Sequence, residues 1–563
     1  MTRNNSKRSG GRVLVDQLRI HGVDTAFCVP GESYLDVIDS LYDHRETMKL
    51  LVCRQEGGAA FMAEAYGKCT GKPGICLVTR GPGATNASIG VHTAYQDSSP
   101  MILFVGQISR DIVEREAFQE VDFRRMFGQM TKWVAQIDDA QRIPEYLSHA
   151  FHVAVSGRPG PVVLALPEDM LVSEVDVADA GPYRKVKPNP SADALDQLRG
   201  MLESAQRPLV LLGGGDWSTK ACDDIRGFIE ANNLPVACTF RRQDLIDNRH
   251  PNYCGDVGIG LNPLLAKRVE SADLIIAIGP RLGEMTTGGY TMFQIPCPGK
   301  ALVHVHPGIE ELGRVYQADL MINSGMGEFA HAASVMPAVD SSSWRDWTHQ
   351  AHEDYLKNIE PQASQGMVDL AEVMMELRKQ LPADAIMTTG AGNYTGWIQR
   401  YWQYGGFRSQ LGPTNGAMGY GVPSAIAAKL VFPQRTVASF SGDGCFLMNG
   451  QELATAAQYN LKILFFVINN GMYGTIRMHQ EREYPARVHG TDLRNPDFVA
   501  LAKAYGLHGA VVERSSEFPQ VLTDALSQPG PALIEIRTDP EAITTRGSLS
   551  AMRETALKSQ QRL

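Results

Sequence analysis

Residues 436–470 read TVASF-SGDG-CFLM-NGQELATAAQYN-LKILFFVI-NN. The stretch opens on a short apolar strand and turns through Ser441-Gly442-Asp443-Gly444. It continues through a helical segment at 449–460 and returns to an apolar strand that ends in Asn469 and Asn470. Twenty-four residues separate Gly444 from Asn469. Short, wholly apolar strands joined through a helix belong to a parallel sheet covered on both faces. Parallel strands joined this way end on one edge of the sheet, and open α/β folds bind their ligands at that carboxyl edge.

The residue types at this edge suit one chemistry. Magnesium takes hard oxygen ligands, commonly one or two protein groups together with phosphate oxygens. Asp443 offers a carboxylate and Asn470 an amide oxygen. Gly442 and Gly444 let backbone N–H groups come close to a diphosphate, and a following helix start adds partial positive charge.

Working outward, the same strand–helix alternation fills the chain. Near the N-terminus an amphipathic helix (Val13, Leu14, Leu18) leads to strands at 25–29, 49–53, 74–79, 101–106 and 161–167. Between them lie a small-residue helix, GGAAFMAEAYGK, and a glycine-rich turn, RGPGATN. A polar, proline-containing linker, VADAGPYRKVKPNPSADA, separates this unit from strands at 208–215, 234–240, 272–279 and 301–307. A second boundary is read at 339–366, before strands AIMTTG, TVASFSGDG, LKILFFVINN and PALIEIRTD. The expectation is an α/β protein of three parallel-sheet domains, at 1–175, 190–340 and 360–545, with a polar tail at 546–563.

Composition narrows the function. Hydrophobic residues make up 44% and charged residues 20% of the 563, as in globular proteins and unlike disordered ones. The net charge is −9 without basic blocks, which argues against nucleic-acid or membrane-surface partners. No run approaches the roughly 20 apolar residues of a membrane span. Nine scattered cysteines, never spaced C-x-x-C, read as reduced thiols of a cytoplasmic protein.

The GDG and NN elements together resemble the cofactor motif of the thiamine diphosphate-dependent decarboxylases and carboligases, and acetolactate synthases in particular. The resemblance runs along nearly the whole chain. It implies a thiamine diphosphate-binding fold with pyrimidine-binding, middle and diphosphate-binding domains in that order. It implies magnesium held by Asp443, Asn470 and the main-chain oxygen of Met472. Around the cofactor it places Gly442, Gly444 and Cys445, and Tyr473 and Gly474. It also places Ala391, Gly392, Asn393 and Tyr394 of GAGNYTGW there, with Gly416 and Met418 of GAMGYG. Met418 would be the apolar wedge between the two cofactor rings. The segment RQEGGAAFMAEAYGK resembles the family's glutamate segment. That assigns Glu56 as the carboxylate beside the aminopyrimidine that promotes deprotonation of the cofactor. AFQE supplies Phe118 and Gln119 as substrate-pocket residues. In this superfamily pyrimidine and diphosphate sit on different subunits, so a homodimer is the minimum and a homotetramer is expected.

The implied reaction is decarboxylation of a 2-keto acid and ligation of the remainder to a second carbonyl compound. Three positions depart from the acetolactate synthase pattern. RLGEMTTG keeps Arg281 but has Met285 where a second arginine grips the acceptor carboxylate. His479 stands near the place of an acceptor-selecting tryptophan, and PGES puts Glu32 in place of a small residue. These departures keep open a non-ligating decarboxylase or C–C lyase acting on an aryl or otherwise unusual 2-keto acid, and, further off, an inactive binding protein of the same fold. LLGGGDW at 211–217 is compatible with FAD, but without a G-x-G-x-x-G fingerprint the balance is against a flavin.

Overall fold

The computed structural model describes residues 7–560. The chain divides into two compact units, one ending at Lys187 and one beginning at Pro188. Each apolar run of the sequence becomes a buried parallel strand, because parallel strands flanked by helices lose water on both faces.

The first unit holds one six-stranded sheet. Its strands lie in the order Lys49–Val52, Thr25–Cys28, Gly74–Val78, Met101–Gln107, Pro161–Pro167 and Trp133–Gln136, all parallel. Numbered along the chain, that order is 2-1-3-4-6-5. The direction of winding reverses between Thr25–Cys28 and Gly74–Val78, which opens a crevice at their carboxyl ends. Helix Gly10–Ile20 buries Val13, Leu14 and Leu18 against this sheet. A short antiparallel pair, Arg8–Ser9 with Glu174–Val175, closes the unit.

The second unit contains two further parallel six-stranded sheets. The middle sheet runs Tyr253–Val257, Val236–Thr239, Pro208–Leu212, Leu274–Ile278, Ala301–His306 and Leu320–Asn323. The last sheet runs Gln410–Leu411, Ile386–Thr389, Val437–Gly442, Leu464–Asn469, Ala532–Arg537 and His508–Val512. The last sheet repeats the 2-1-3-4-6-5 winding of the first, and its crevice opens between Ile386–Thr389 and Val437–Gly442.

Two expectations need correction, and the tail gains a defined partner. RGPGATN is not a turn: it forms the first residues of helix Arg80–Asp97. The polar segment 339–366 carries helix Arg345–Asn358, and Val339, Trp344, Tyr355 and Ile359 belong to the middle core, which therefore continues past residue 340. The polar tail carries helix Leu549–Gln560, which docks on helix Gly474–Glu483. Arg553 donates two hydrogen bonds (2.7 and 2.8 Å) to the buried Glu481 carboxylate, and Arg477 adds two more (2.8 and 3.1 Å). Arg553 foremost holds that carboxyl down to about 2. No helix among the described residues is long and apolar enough to cross a membrane.

Candidate active site

In the first unit, the strand Lys49–Val52 runs out through Cys53-Arg54-Gln55 into helix Glu56–Thr70. Gln55 caps this helix, its side-chain oxygen accepting the Gly58 N–H at 3.0 Å. Glu56 is the first helical residue, half-buried, where the helix dipole favours a carboxylate. Its Oε2 accepts a hydrogen bond from Nδ2 of Asn86 at 2.9 Å.

The start of helix Arg80–Asp97 organises everything nearby, one residue after another. Arg80, largely buried, donates to Glu32 (3.2 Å) and Glu168 (2.5 Å). Gly81 N–H donates to the Gln119 carbonyl at 3.0 Å. Gly83 faces Glu56: a Cβ there would lie 3.6 Å from Glu56 Oε1. The loop carrying Phe118 and Gln119 is held in shape by Glu120, whose carboxylate accepts the N–H groups of Glu114 (2.7 Å) and Ala117 (2.9 Å). Glu114, Glu116 and Gln119 all have positive φ (64, 52 and 68°), a concentration of left-handed backbone at non-glycine residues. The backbone of Gln119 thus reaches the helix start beside Glu56, while the Phe118 ring is 72% exposed.

In the second unit, Asp443 follows strand Val437–Gly442 at the crevice and is buried. Its Oδ1 accepts the Gly444 N–H (2.9 Å); its Oδ2 accepts the Gly471 N–H (2.9 Å) and Nδ2 of Asn495 (2.7 Å). Burial pushes this carboxyl up from its ordinary value, and those hydrogen bonds oppose the push. Asn469 turns inward, donating to Glu535 at 2.8 Å. Asn470 stays at the edge, its Oδ1 accepting the Met472 N–H at 3.3 Å. The Met472 carbonyl accepts the Gly474 N–H at 2.9 Å.

Around Asp443 the chain comes close enough to exclude side chains. A Cβ on Gly444 would stand 2.6 Å from the Tyr473 ring, and one on Gly442 would stand 2.9 Å from the Tyr394 ring. Cys445 joins three segments: its Sγ accepts the Tyr394 hydroxyl (3.3 Å) and the Gly419 N–H (3.2 Å). Gly392 needs its positive φ of 151°, and its α-carbon faces the Tyr394 ring. Asn393 is spoken for within the chain, its backbone N–H and Oδ1 both joined to Thr475 Oγ1 at 3.0 Å. Ala391 is half-buried beside it, and Met418 is half-buried against the core of this unit. Gly416 (φ 69°) is exposed, with open space where a Cβ would be.

The expected residues thus gather at the sheet edges, with Phe118 and Gly416 exposed at the margins. Three partners escaped the sequence reading. Asn86 lies inside the quoted RGPGATN but nothing in its spacing pairs it with Glu56. Thr475 directly follows the expected Tyr473 and Gly474 but was not singled out, and Asn495 comes from a segment without a local motif, where an Asn-Pro pair at 495–496 marks only a turn.

A helix-start glutamate at one carboxyl edge, and clustered oxygen donors among glycines at another, are the arrangement of a ligand-binding α/β protein. Comparison with known proteins specifies it further. The thiamine pyrophosphate enzyme family matches in three parts: its N-terminal TPP binding domain at residues 8–126, its central domain at 195–333 and its C-terminal TPP binding domain at 390–536. The chain is 31% identical to acetolactate synthase isozyme 2 large subunit of Escherichia coli (strain K12), covering 94% of this chain and 96% of that one. It is 32% identical to acetolactate synthase large subunit of Parasynechococcus marenigrum (94% and 87% covered). It is 31% identical to a probable acetolactate synthase large subunit of Methanocaldococcus jannaschii (94% and 92% covered). The chain belongs to the thiamine pyrophosphate enzymes, in the group of the acetolactate synthase large subunits.

Proposed function

We propose that this enzyme decarboxylates a 2-keto acid with thiamine diphosphate and magnesium and ligates the remaining carbons to a second carbonyl compound. The observation that carries the reading is the oxygen set at the second crevice: a buried Asp443 carboxylate, the Asn470 amide oxygen and the Met472 carbonyl on one loop, ringed by glycines. Those are hard, octahedron-compatible donors for magnesium against a diphosphate. Thiamine diphosphate, when bound, supplies the electron sink that lets carbon dioxide leave. Glu56, oriented by Asn86, would hold the proton shared with the aminopyrimidine. Gly442, Gly444, Cys445, Tyr473 and Gly474 would line the diphosphate, Ala391, Gly392, Asn393, Tyr394 and Gly416 the adjoining loops, and Met418 the bend of the cofactor. Phe118 and Gln119 would face substrate.

In this reading the pyrimidine-binding domain is 1–175, the middle domain 190–340 with the following helix, and the diphosphate-binding domain 360–545, followed by the 546–563 tail. Glu56 and Asp443 work together across a subunit interface in a homodimer at minimum, with a homotetramer expected. The nine cysteines, all thiols, support a cytoplasmic location.

The reading includes no flavin. The middle sheet has the 3-2-1-4-5-6 order of dinucleotide-binding folds. Its glycines, however, are used by the chain itself. A Cβ on Gly213 would meet Thr239 Oγ1 at 2.1 Å, one on Gly214 would meet the Gly279 carbonyl at 1.9 Å, and the Trp217 indole donates to the Gly213 carbonyl at 2.8 Å.

One observation favours a different acceptor or none. Arg281 lies beside the buried Glu311 carboxylate (3.7 Å), and Met285 offers no second guanidinium. A 2-keto acid acceptor would then lack a bidentate carboxylate clamp. A neutral aldehyde acceptor, or simple decarboxylation of an aryl keto acid, fits that charge pattern.

The test is carbon-13 NMR of purified enzyme with labelled pyruvate, with and without thiamine diphosphate and magnesium. Cofactor-dependent acetolactate supports ligation to a 2-keto acid; acetaldehyde alone supports the decarboxylase. If pyruvate stays untouched, bulkier keto acids and aldehyde acceptors follow. No cofactor-dependent turnover across that panel would overturn the enzymatic reading.

A further inference from the structure

We infer that Asn495 is a positioning residue for the magnesium site, a latch that fixes the Asp443 and Asn469 strand ends relative to each other; this rests on the functional reading above. The single Nδ2 of Asn495 donates to Asp443 Oδ2 at 2.7 Å and to Asn469 Oδ1 at 2.9 Å. An amide nitrogen carries two hydrogens, so both donors are committed, one to each residue. The same two oxygens also share the Gly471 N–H, at 2.9 and 3.1 Å. Asp443 follows strand Val437–Gly442 and Asn469 ends the neighbouring strand Leu464–Asn469, and they are separated by a helix and a strand in sequence. Two independent bridges therefore set their spacing.

The consequence for a cation follows from which oxygens are taken. Oδ2 of Asp443 accepts two N–H groups and faces the latch. Oδ1 accepts the N–H of the next residue and takes no part in the latch, which makes it the ligand oxygen in this reading. Asn469, with its Oδ1 held by the latch and its Nδ2 on Glu535, is likewise removed from ligation, which leaves Asn470 to serve. A neutral amide does this without cancelling the carboxylate charge that attracts the metal. An arginine or lysine at 495 would cancel it, and a serine could donate to only one oxygen.

The segment bearing Asn495 is itself sewn to the metal loop. Tyr473 N–H donates to the Thr491 carbonyl and Leu493 N–H to the Gly471 carbonyl, both at 2.8 Å. The Leu493 side chain stands against Gly444, where a Cβ would lie 3.1 Å away. On the other side, Asp497 caps helix Phe498–Ala504, which anchors the segment to the sheet. Asn495 Oδ1 is buried without a hydrogen-bond partner among the described residues, so the amide is retained here for what its nitrogen does.

Full-length protein is stripped with EDTA and titrated with magnesium at fixed thiamine diphosphate, following cofactor uptake by tryptophan fluorescence and calorimetry. Asn495→Ala should raise the half-saturating magnesium concentration roughly 10–100-fold, the usual effect of removing a group that orients a metal ligand. Its apo melting temperature should stay within a few degrees of wild type. Asn495→Asp, isosteric but with acceptors facing Asp443 Oδ2, should lose more; Asn495→Ser, with one donor, should fall between wild type and alanine. Magnesium midpoints within twofold of wild type in all three variants would overturn the latch. So would a midpoint shift matched by an equal shift with thiamine diphosphate at saturating magnesium, since that reports general loosening. If alanine fails to fold, the serine and aspartate variants decide alone. Wild-type protein that takes up neither magnesium nor cofactor would instead overturn the functional reading, and the latch with it.

Discussion

At the scale of single residues, Glu56 depends on one neighbour more than on its helix. Asn86 donates to Oε2 and leaves Oε1 turned toward Gly83, where an added Cβ would stand 3.6 Å from it. In the proposed reading this neutral donor sets which oxygen Glu56 presents to the aminopyrimidine. A hydrogen bond to a charged group contributes about 1.5–3 kcal/mol. Asn86→Leu should therefore lower kcat/KM roughly 10–100-fold, with thiamine diphosphate affinity changed much less. Steady-state kinetics against cofactor and substrate would check this, and unchanged turnover would separate Asn86 from the chemistry. Glu56 and Asp443 were legible in the sequence because each follows an apolar strand and stands among glycines. Asn86 and Asn495 were not. Asn86 meets its partner through the facing of two helices, and Asn495 acts on a residue 52 positions earlier in the chain.

At the scale of elements, the strands that the sequence hides share one property. Trp133–Gln136, Tyr253–Val257, Leu320–Asn323, Gln410–Leu411 and His508–Val512 were not anticipated, and each lies at a sheet edge. An edge strand is hydrogen-bonded on one side only and partly wetted, so its apolar run is interrupted: His508–Val512 buries a single residue fully, and Leu320–Asn323 exposes Met321. Interior strands are buried almost throughout and were read correctly to within a few residues. The RGPGATN helix misled for a related reason. Its glycines are there for contact rather than for a turn. A Cβ on Gly90 would fall 2.4 Å from the Ala60 Cβ and 2.7 Å from the Ala60 carbonyl carbon, so the helices bearing Glu56 and Asn86 touch backbone to backbone at that point. Gly90→Ala should force them apart. Overpacking of this kind costs about 1–3 kcal/mol. A thermal melt should show a lowered transition, and turnover should fall with it because the Glu56–Asn86 distance opens. A melt unchanged from wild type would mean the helices have slack that these distances deny.

At the scale of the molecule, the two outer sheets share the 2-1-3-4-6-5 winding. In the first, Glu32 and the Arg80 helix start flank the reversal of winding; in the last, residues 390–394 and 442–445 do. In the proposed reading Glu56 of the first unit and Asp443 of the second are the two halves of one active site. If those halves come from different subunits, two inactive proteins can repair each other. Glu56→Gln and Asp443→Asn, each purified alone, should be nearly inactive. After denaturation-free subunit exchange of equal amounts, about half of the dimers should be mixed. In a twofold dimer each mixed pair holds one site with both native groups and one with neither. Activity should then rise to about a quarter of wild type, with one cofactor bound tightly per mixed dimer. If Glu56 and Asp443 instead served the same site within one chain, every site in the mixture would lack one group and no activity would return. A control mixing Glu56→Gln with Asn86→Leu, both on the same unit, should give no more than the residual rate of the Asn86 variant, because neither chain of that pair supplies a fully native first half.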